Sequence, residues 1–126
     1  MKVINTTKAP AAIGPYSQAI AANGLLFTSG QIPVDPTTGL VVEGGIESQA
    51  RMVMENLKAV LLEADVDFSA VVKTTCFISS IDDFAAFNSV YSQYFTSDAK
   101  PARSCVAVKT LPKGALVEVE VVAEKE

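Results

Sequence analysis

The stretch Leu116–Ala123, LVEVEVVA, alternates between apolar and acidic residues over most of its length. Successive side chains of a β-strand point to opposite faces, so Val117, Val119 and Val121 share one face and Glu118 and Glu120 the other. A strand of this kind belongs in a sheet whose valine face is covered and whose other face carries charge. The preceding apolar stretch, Ala102–Val108 or ARSCVAV, reads the same way. Arg103, Cys105 and Ala107 fall on one face, and Ala102, Ser104, Val106 and Val108 on the other.

What covers the valine face is legible further upstream. From Gly45 the apolar residues Ile46, Ala50, Val53, Leu57, Val60, Leu61 and Ala64 recur at steps of three and four. That period predicts a long amphipathic helix with Glu47 in its first turn and an end near Asp65. Val71–Ser80, VVKTTCFISS, is rich in β-branched residues and reads as a strand. Ser80 or Asp82 then caps a second helix carrying Phe84, Phe87, Tyr91 and Phe95 on one face, which reads as packing. Ala19–Ala22 and Leu25–Ser29 flank Asn23-Gly24, a pair that supplies the positive φ angles of a type I′ hairpin turn. Leu111–Gly114 is a turn before the last strand. The expected order is βββ-αβ-αββ, an α+β fold with two helices on one face of a mixed sheet. The opposite face carries apolar residues beside its charges. It is expected to meet another subunit, with Cys105, Ala107 and Val122 among the residues buried there.

At 126 residues the chain has the length of one domain, taken as 1–126, and its 49% hydrophobic content suffices for a core. The sequence has no histidine, which removes the usual base near neutral pH and the commonest transition-metal ligand. Cys76 and Cys105 alone are too few for a structural zinc site. Catalysis would therefore rest on carboxylates, hydroxyls, backbone groups, Arg, Lys or a thiol. A net charge of −4 argues against binding a phosphate backbone. Met1–Thr7 turns polar at once, and no stretch approaches the ~20 apolar residues of a membrane span. The expectation is a soluble, cytoplasmic protein with no membrane partner and no nucleic acid.

Three motifs in order, IGPYSQA at 13–19, TSGQIP at 28–33 and PARSCV at 101–106, followed by Glu118-Val119-Glu120, resemble the RidA/YjgF family of reactive-intermediate deaminases. The resemblance runs from about Thr7 to Val122. It implies a chorismate-mutase-like fold assembled as a homotrimer with sites between subunits. It also implies hydrolysis of 2-imino acids and their enamine tautomers, released by pyridoxal-phosphate enzymes acting on serine or threonine, to 2-keto acids and ammonia, without cofactor or metal.

The same resemblance assigns residues. Arg103 matches the family's carboxylate-binding arginine, and its planar fork suits a bidentate carboxylate. The alternative from spacing alone is an ion pair with Glu118 or Glu120 across the sheet. Glu118 matches the glutamate that positions the hydrolytic water, with Glu120 a neighbouring charge without direct chemistry; the alternative exchanges the two roles. Tyr16 lines the cleft, and Gly30 lets its N–H approach the ligand. Ser29 and Asn88 line the site. Cys105 acts through its backbone, because its thiol lacks a histidine to activate it. Asp65 stands where relatives often carry a helix-ending glycine. Two further classes use the same residues: a 2-keto acid-binding regulator, and a ribonuclease or translation inhibitor, which the acidic balance and missing histidine disfavour.

Overall fold

The computed structural model describes residues 1–126. Six strands form one sheet: β1 (Lys2–Ile4), β2 (Ala19–Ala22), β3 (Leu25–Thr28), β4 (Val71–Ile78), β5 (Ala102–Ala107) and β6 (Val117–Glu124). Helix α1 (Ile46–Glu63) joins β3 to β4, and α2 (Phe84–Tyr91) joins β4 to β5. The expected order βββ-αβ-αββ is the observed one. In space the strands run β1-β2-β3-β6-β4-β5, with β4 and β5 parallel and the other neighbours antiparallel. Because β3 and β4 both run antiparallel to β6, the two helical connections join parallel strands and step across the sheet in the same direction. Right-handed crossovers taken twice in one direction place both helices on the same face.

Local chemistry sets each element. Asn23 and Gly24 turn β2 into β3 with φ of 53° and 77°, the left-handed pair of a type I′ turn. Ser80 accepts from the Asp82 N–H and opens a short 3-10 turn (Ile81–Asp83) that leads into α2. Helix α1 buries Val53, Met54, Leu57, Val60 and Leu61 completely against the sheet. Each such side chain contributes about 1.5–3 kcal/mol relative to exposure. On the sheet side they meet Val117, Val119, Val121 and Ala123 of β6, together with Cys76 and Ile78 of β4. No helix is long and apolar enough to cross a membrane.

Asp65 ends α1 in the left-handed conformation, with φ 59°. The Val66 N–H reaches back to the Leu61 carbonyl at 3.0 Å and the Asp65 N–H to that of Leu62 at 2.9 Å, a Schellman closure. A residue with a β-carbon is strained there, and Asp tolerates it better than most. Asp65→Gly is expected to raise stability by up to about 1 kcal/mol and Asp65→Ala to lower it by a similar amount, as read by urea denaturation midpoints. Equal midpoints for all three proteins would show that the left-handed strain is negligible.

The face opposite the helices is open. Phe27 and Val106 are 45% and 46% exposed on it, beside Glu120 and Val122. One expectation is corrected here. Cys105 pairs with Cys76 and Ala107 with Ile78, both buried under the helices, so Cys105 and Ala107 belong to the helix side rather than to the open face. The edge strand β5 lies where helix cover thins, which is why its residues stay more exposed than those of β4.

Candidate active site

Around Arg103 one stripe of α2 supplies every contact. Phe84, Asn88 and Tyr91 stand at i, i+4 and i+7 and so face the same way. The Arg103 Nη1 donates to Asn88 Oδ1 at 2.6 Å. Its Cζ lies 4.7 Å from the centroid of the Tyr91 ring and 5.5 Å from that of Phe84. These are cation–π distances, with the cation held over aromatic faces. Tyr91 is itself fixed, its hydroxyl 2.9 Å from Oγ1 of Thr74 in the sheet. Phe84 and Tyr91, read from sequence as packing, therefore also form the seat of the guanidinium.

Cys105 sits next to this seat. Burial raises its thiol pKa, with Arg103 partly opposing. Burial drives that of Cys76 up to about 12. Both are neutral thiols at neutral pH, whereas the thiolate is the nucleophile. For Cys105 burial outweighs the one charge, Arg103, that would favour its thiolate.

The second group of candidate residues includes Glu118. Its carboxyl is held above the usual range, first by burial and second by the charge of Glu120. Gly30 lies against it. A β-carbon at Gly30 would stand 2.8 Å from Glu118 Cδ and overlap Oε2. Hydrogen bonds on both sides hold Gly30 there. The Ser29 N–H donates to Gln18 O at 2.9 Å, and Gln31 exchanges backbone bonds of 2.9 and 3.2 Å with Val119. The Ser29 hydroxyl donates to Ser17 O at 2.6 Å. Tyr16 is 53% exposed and, with Gly30, Gln31 and Ile32, borders a cavity of about 540 Å³.

Two anchors of this region have no role legible in the sequence, although Gln18 stands within the IGPYSQA motif. Gln18, buried, accepts from the Thr6 N–H at 2.7 Å and donates to the carbonyls of Thr6 and Pro10 at 3.0 and 2.8 Å. Asn56, fully buried in α1, donates to Ile32 O and Val34 O at 3.1 and 3.0 Å. Each satisfies backbone groups of an irregular segment and so fixes the loops that carry Tyr16 and Gly30.

The candidate residues form two groups, and the register keeps them apart. Arg103 pairs with Thr74, and Thr74 with Val121, on the helix side. Glu118 pairs with Phe77 on the open side. The ion pair of Arg103 with Glu118 or Glu120 is therefore not formed within the chain, and its place is taken by Asn88 and the two rings.

Fold and site together define a small α+β protein that divides its candidate groups between two sheet faces, an arginine seat on one and a half-buried glutamate on the other. A family model described as "Endoribonuclease L-PSP" matches residues 6–125. The "2-iminobutanoate/2-iminopropanoate deaminase" of Homo sapiens is 46% identical over 122 residues, covering 97% of this chain and 88% of that one. The "Putative regulator AldR" of Lactococcus lactis is 53% identical over 124 residues, covering 98% of each. The crystal structure of E. coli TdcF with bound serine superposes with a TM-score of 0.94 at 42% identity, covering all of both chains. The chain belongs to this family, the RidA/YjgF family that its motifs resemble.

Proposed function

We propose that the protein is a cofactor-independent deaminase that hydrolyses 2-imino acids and their enamine tautomers to 2-keto acids and ammonia, in sites formed between the subunits of a homotrimer. The observation that carries this reading is the division of Arg103 and Glu118 between opposite faces of one sheet. A site that uses both must take them from two copies. The open face, with Phe27 and Val106 uncovered, offers the apolar surface that assembly would bury.

In this scheme Arg103 binds the substrate carboxylate through the in-plane N–H groups that Asn88 leaves free. Glu118 of a neighbouring copy takes a proton from water as its oxygen attacks C2 of the protonated imine, and the C=N electron pair moves to nitrogen. The carbinolamine then regains a proton on nitrogen from Glu118. The C–N bond breaks as C=O forms, the Glu118 carboxylate takes the hydroxyl proton, and ammonia leaves and picks that proton up as ammonium. Burial and Glu120 raise the Glu118 pKa, which suits a group that must take up and return one proton. Ser29, Tyr16 and Gly30 line the Glu118 side of the site, and Asn88 and Cys105 the Arg103 side. The human deaminase at 46% identity supports the activity, and the bound serine of TdcF supports a small amino-acid-like ligand.

The test is a coupled assay in which a serine or threonine dehydratase releases imine and 2-keto acid formation is followed with and without the protein. Acceleration is the expected result. Binding of 2-keto acid without acceleration would favour the regulator that the AldR relationship suggests. RNA cleavage by the pure protein, lost in Arg103→Ala, would favour the ribonuclease of the family description.

The pH profile offers a finer check. A base must be ionised, so activity rises with pH through the Glu118 pKa, and the Glu120 charge is one of the two causes holding that pKa up. Glu120→Gln is expected to keep most activity and move the acid limb of kcat/KM to lower pH. An unmoved limb would remove Glu118 from the role of base.

A further inference from the structure

We infer that Tyr91, tethered by Thr74, is a positioning residue: it fixes the plane of the Arg103 guanidinium so that its N–H edge faces a bound carboxylate. The ligand half of this statement rests on the proposed function; the pinning of the arginine does not.

Arg103 lies on an exposed edge strand, where a long side chain ordinarily samples many rotamers. Here three groups of α2 restrict it. Tyr91 and Phe84 meet the cation with their rings, and Asn88 takes one of its five N–H donors. The guanidinium's remaining donors lie in its own plane, so restricting that plane from the rings and Asn88 sets the direction in which a bidentate carboxylate can be met.

The ring that lies nearest is also the one that is tied down. Thr74 is fully buried and sits directly opposite Arg103 in the β4–β5 register. Tyr91 spans the pair, its hydroxyl on Thr74 and its ring over the guanidinium. Phe84 lies farther off and has no polar tether. The Thr74–Tyr91 hydrogen bond thus links the sheet to the plane of the arginine, although neither residue need touch the ligand.

Ring and tether are separable by mutation. Tyr91→Phe keeps the ring and leaves the buried Thr74 hydroxyl with only the Cys76 thiol, 4.0 Å away, as a partner, while Tyr91→Leu removes the ring. The first readout is the ¹⁵N order parameter of Arg103 Nε–H, assigned by its disappearance in Arg103→Lys. In wild type it is expected near the rigid-backbone value of about 0.85, and in Tyr91→Leu below about 0.6. The second readout is the affinity for 2-ketobutanoate by calorimetry, with KM and kcat for imine hydrolysis beside it. Tyr91→Leu is expected to weaken 2-ketobutanoate roughly five- to tenfold, the scale of a lost cation–π contact, and to act on KM more than on kcat. Tyr91→Phe is expected to bind within about twofold of wild type while unfolding at lower temperature, and adding Thr74→Val should recover part of that loss by removing the weakly paired hydroxyl.

An equally rigid Arg103 in a folded Tyr91→Leu protein would overturn the inference whatever turnover shows. So would a mobile Arg103 in wild type, or unchanged 2-ketobutanoate affinity in Tyr91→Leu. Should Tyr91→Leu fail to fold, Tyr91→Met supplies a flexible apolar replacement with the same expected loss of order. A wild type that binds 2-ketobutanoate through a rigid Arg103 yet hydrolyses no imine would leave this inference standing and sink only the deaminase reading.

Discussion

Arg103→Ala and Glu118→Gln, each expected to abolish nearly all imine hydrolysis alone, are expected to regain about a quarter of wild-type activity when their subunits are mixed at equal amounts and allowed to exchange. Glu118→Gln keeps the shape of the side chain but removes the proton acceptor, a loss of roughly 10²–10⁴ in rate for a general base. Arg103→Ala removes the carboxylate anchor and frees Asn88 and both rings. Within one chain the two side chains leave the sheet on opposite faces, so under the proposed function a working site is expected to take its arginine from one copy and its glutamate from another. In a randomly mixed assembly, a site needs an arginine from the Glu118→Gln chain and a glutamate from the Arg103→Ala chain. Each occurs about half the time, which gives about one site in four. Native mass spectrometry would verify that mixed assemblies formed. Mixed assemblies without recovered activity would show that both groups act from a single chain.

The strands and helices were largely legible because each has a period that burial enforces. The valines of β6 and the three- and four-residue steps of α1 mark one covered face, and Asn23-Gly24 marks its turn by the positive φ that few other pairs accept. The face of β5 was misassigned for a physical reason. Alternation states which residues share a face but not which face is covered, and an edge strand shows weak contrast because helix cover is thin there. Only pairing with Thr74, Cys76 and Ile78 decides that Arg103, Cys105 and Ala107 lie on the helix side.

The candidate site was legible where residue type carries chemistry and illegible where it carries support. Arg103, Glu118 and Gly30 stand in motifs with a chemical reason beside each. Thr74 and Asn56 read as ordinary polar residues, since a buried amide or hydroxyl that satisfies a distant partner leaves no local pattern, and Gln18 stood in the IGPYSQA motif without its anchoring role being visible. Tyr91 was hidden differently. An aromatic residue on the apolar stripe of a helix is indistinguishable from core, and it does belong to the core, while its ring also carries the arginine.

Gly30→Ala is expected to lower kcat by on the order of a hundredfold while leaving the fold nearly intact, because the added methyl would displace the Glu118 carboxylate and a misplacement of about 1 Å at a reacting group is worth that much. Gly30 does not use the left-handed backbone region, so alanine is compatible with its conformation. The overlapping atoms belong to the far end of a flexible side chain, which can swing aside at small cost in stability. The structure thereby gives Gly30 a reason beyond the close approach of its N–H to a ligand: the missing side chain leaves room for the Glu118 carboxylate. A double mutant separates the two. If Gly30→Ala acts through Glu118, the Glu118→Gln/Gly30→Ala protein should be no slower than Glu118→Gln alone, because residues that act as a unit are not additive. If the glycine serves the ligand through its own N–H, the loss should recur in full on the Glu118→Gln background, with a matching fall in 2-keto acid affinity.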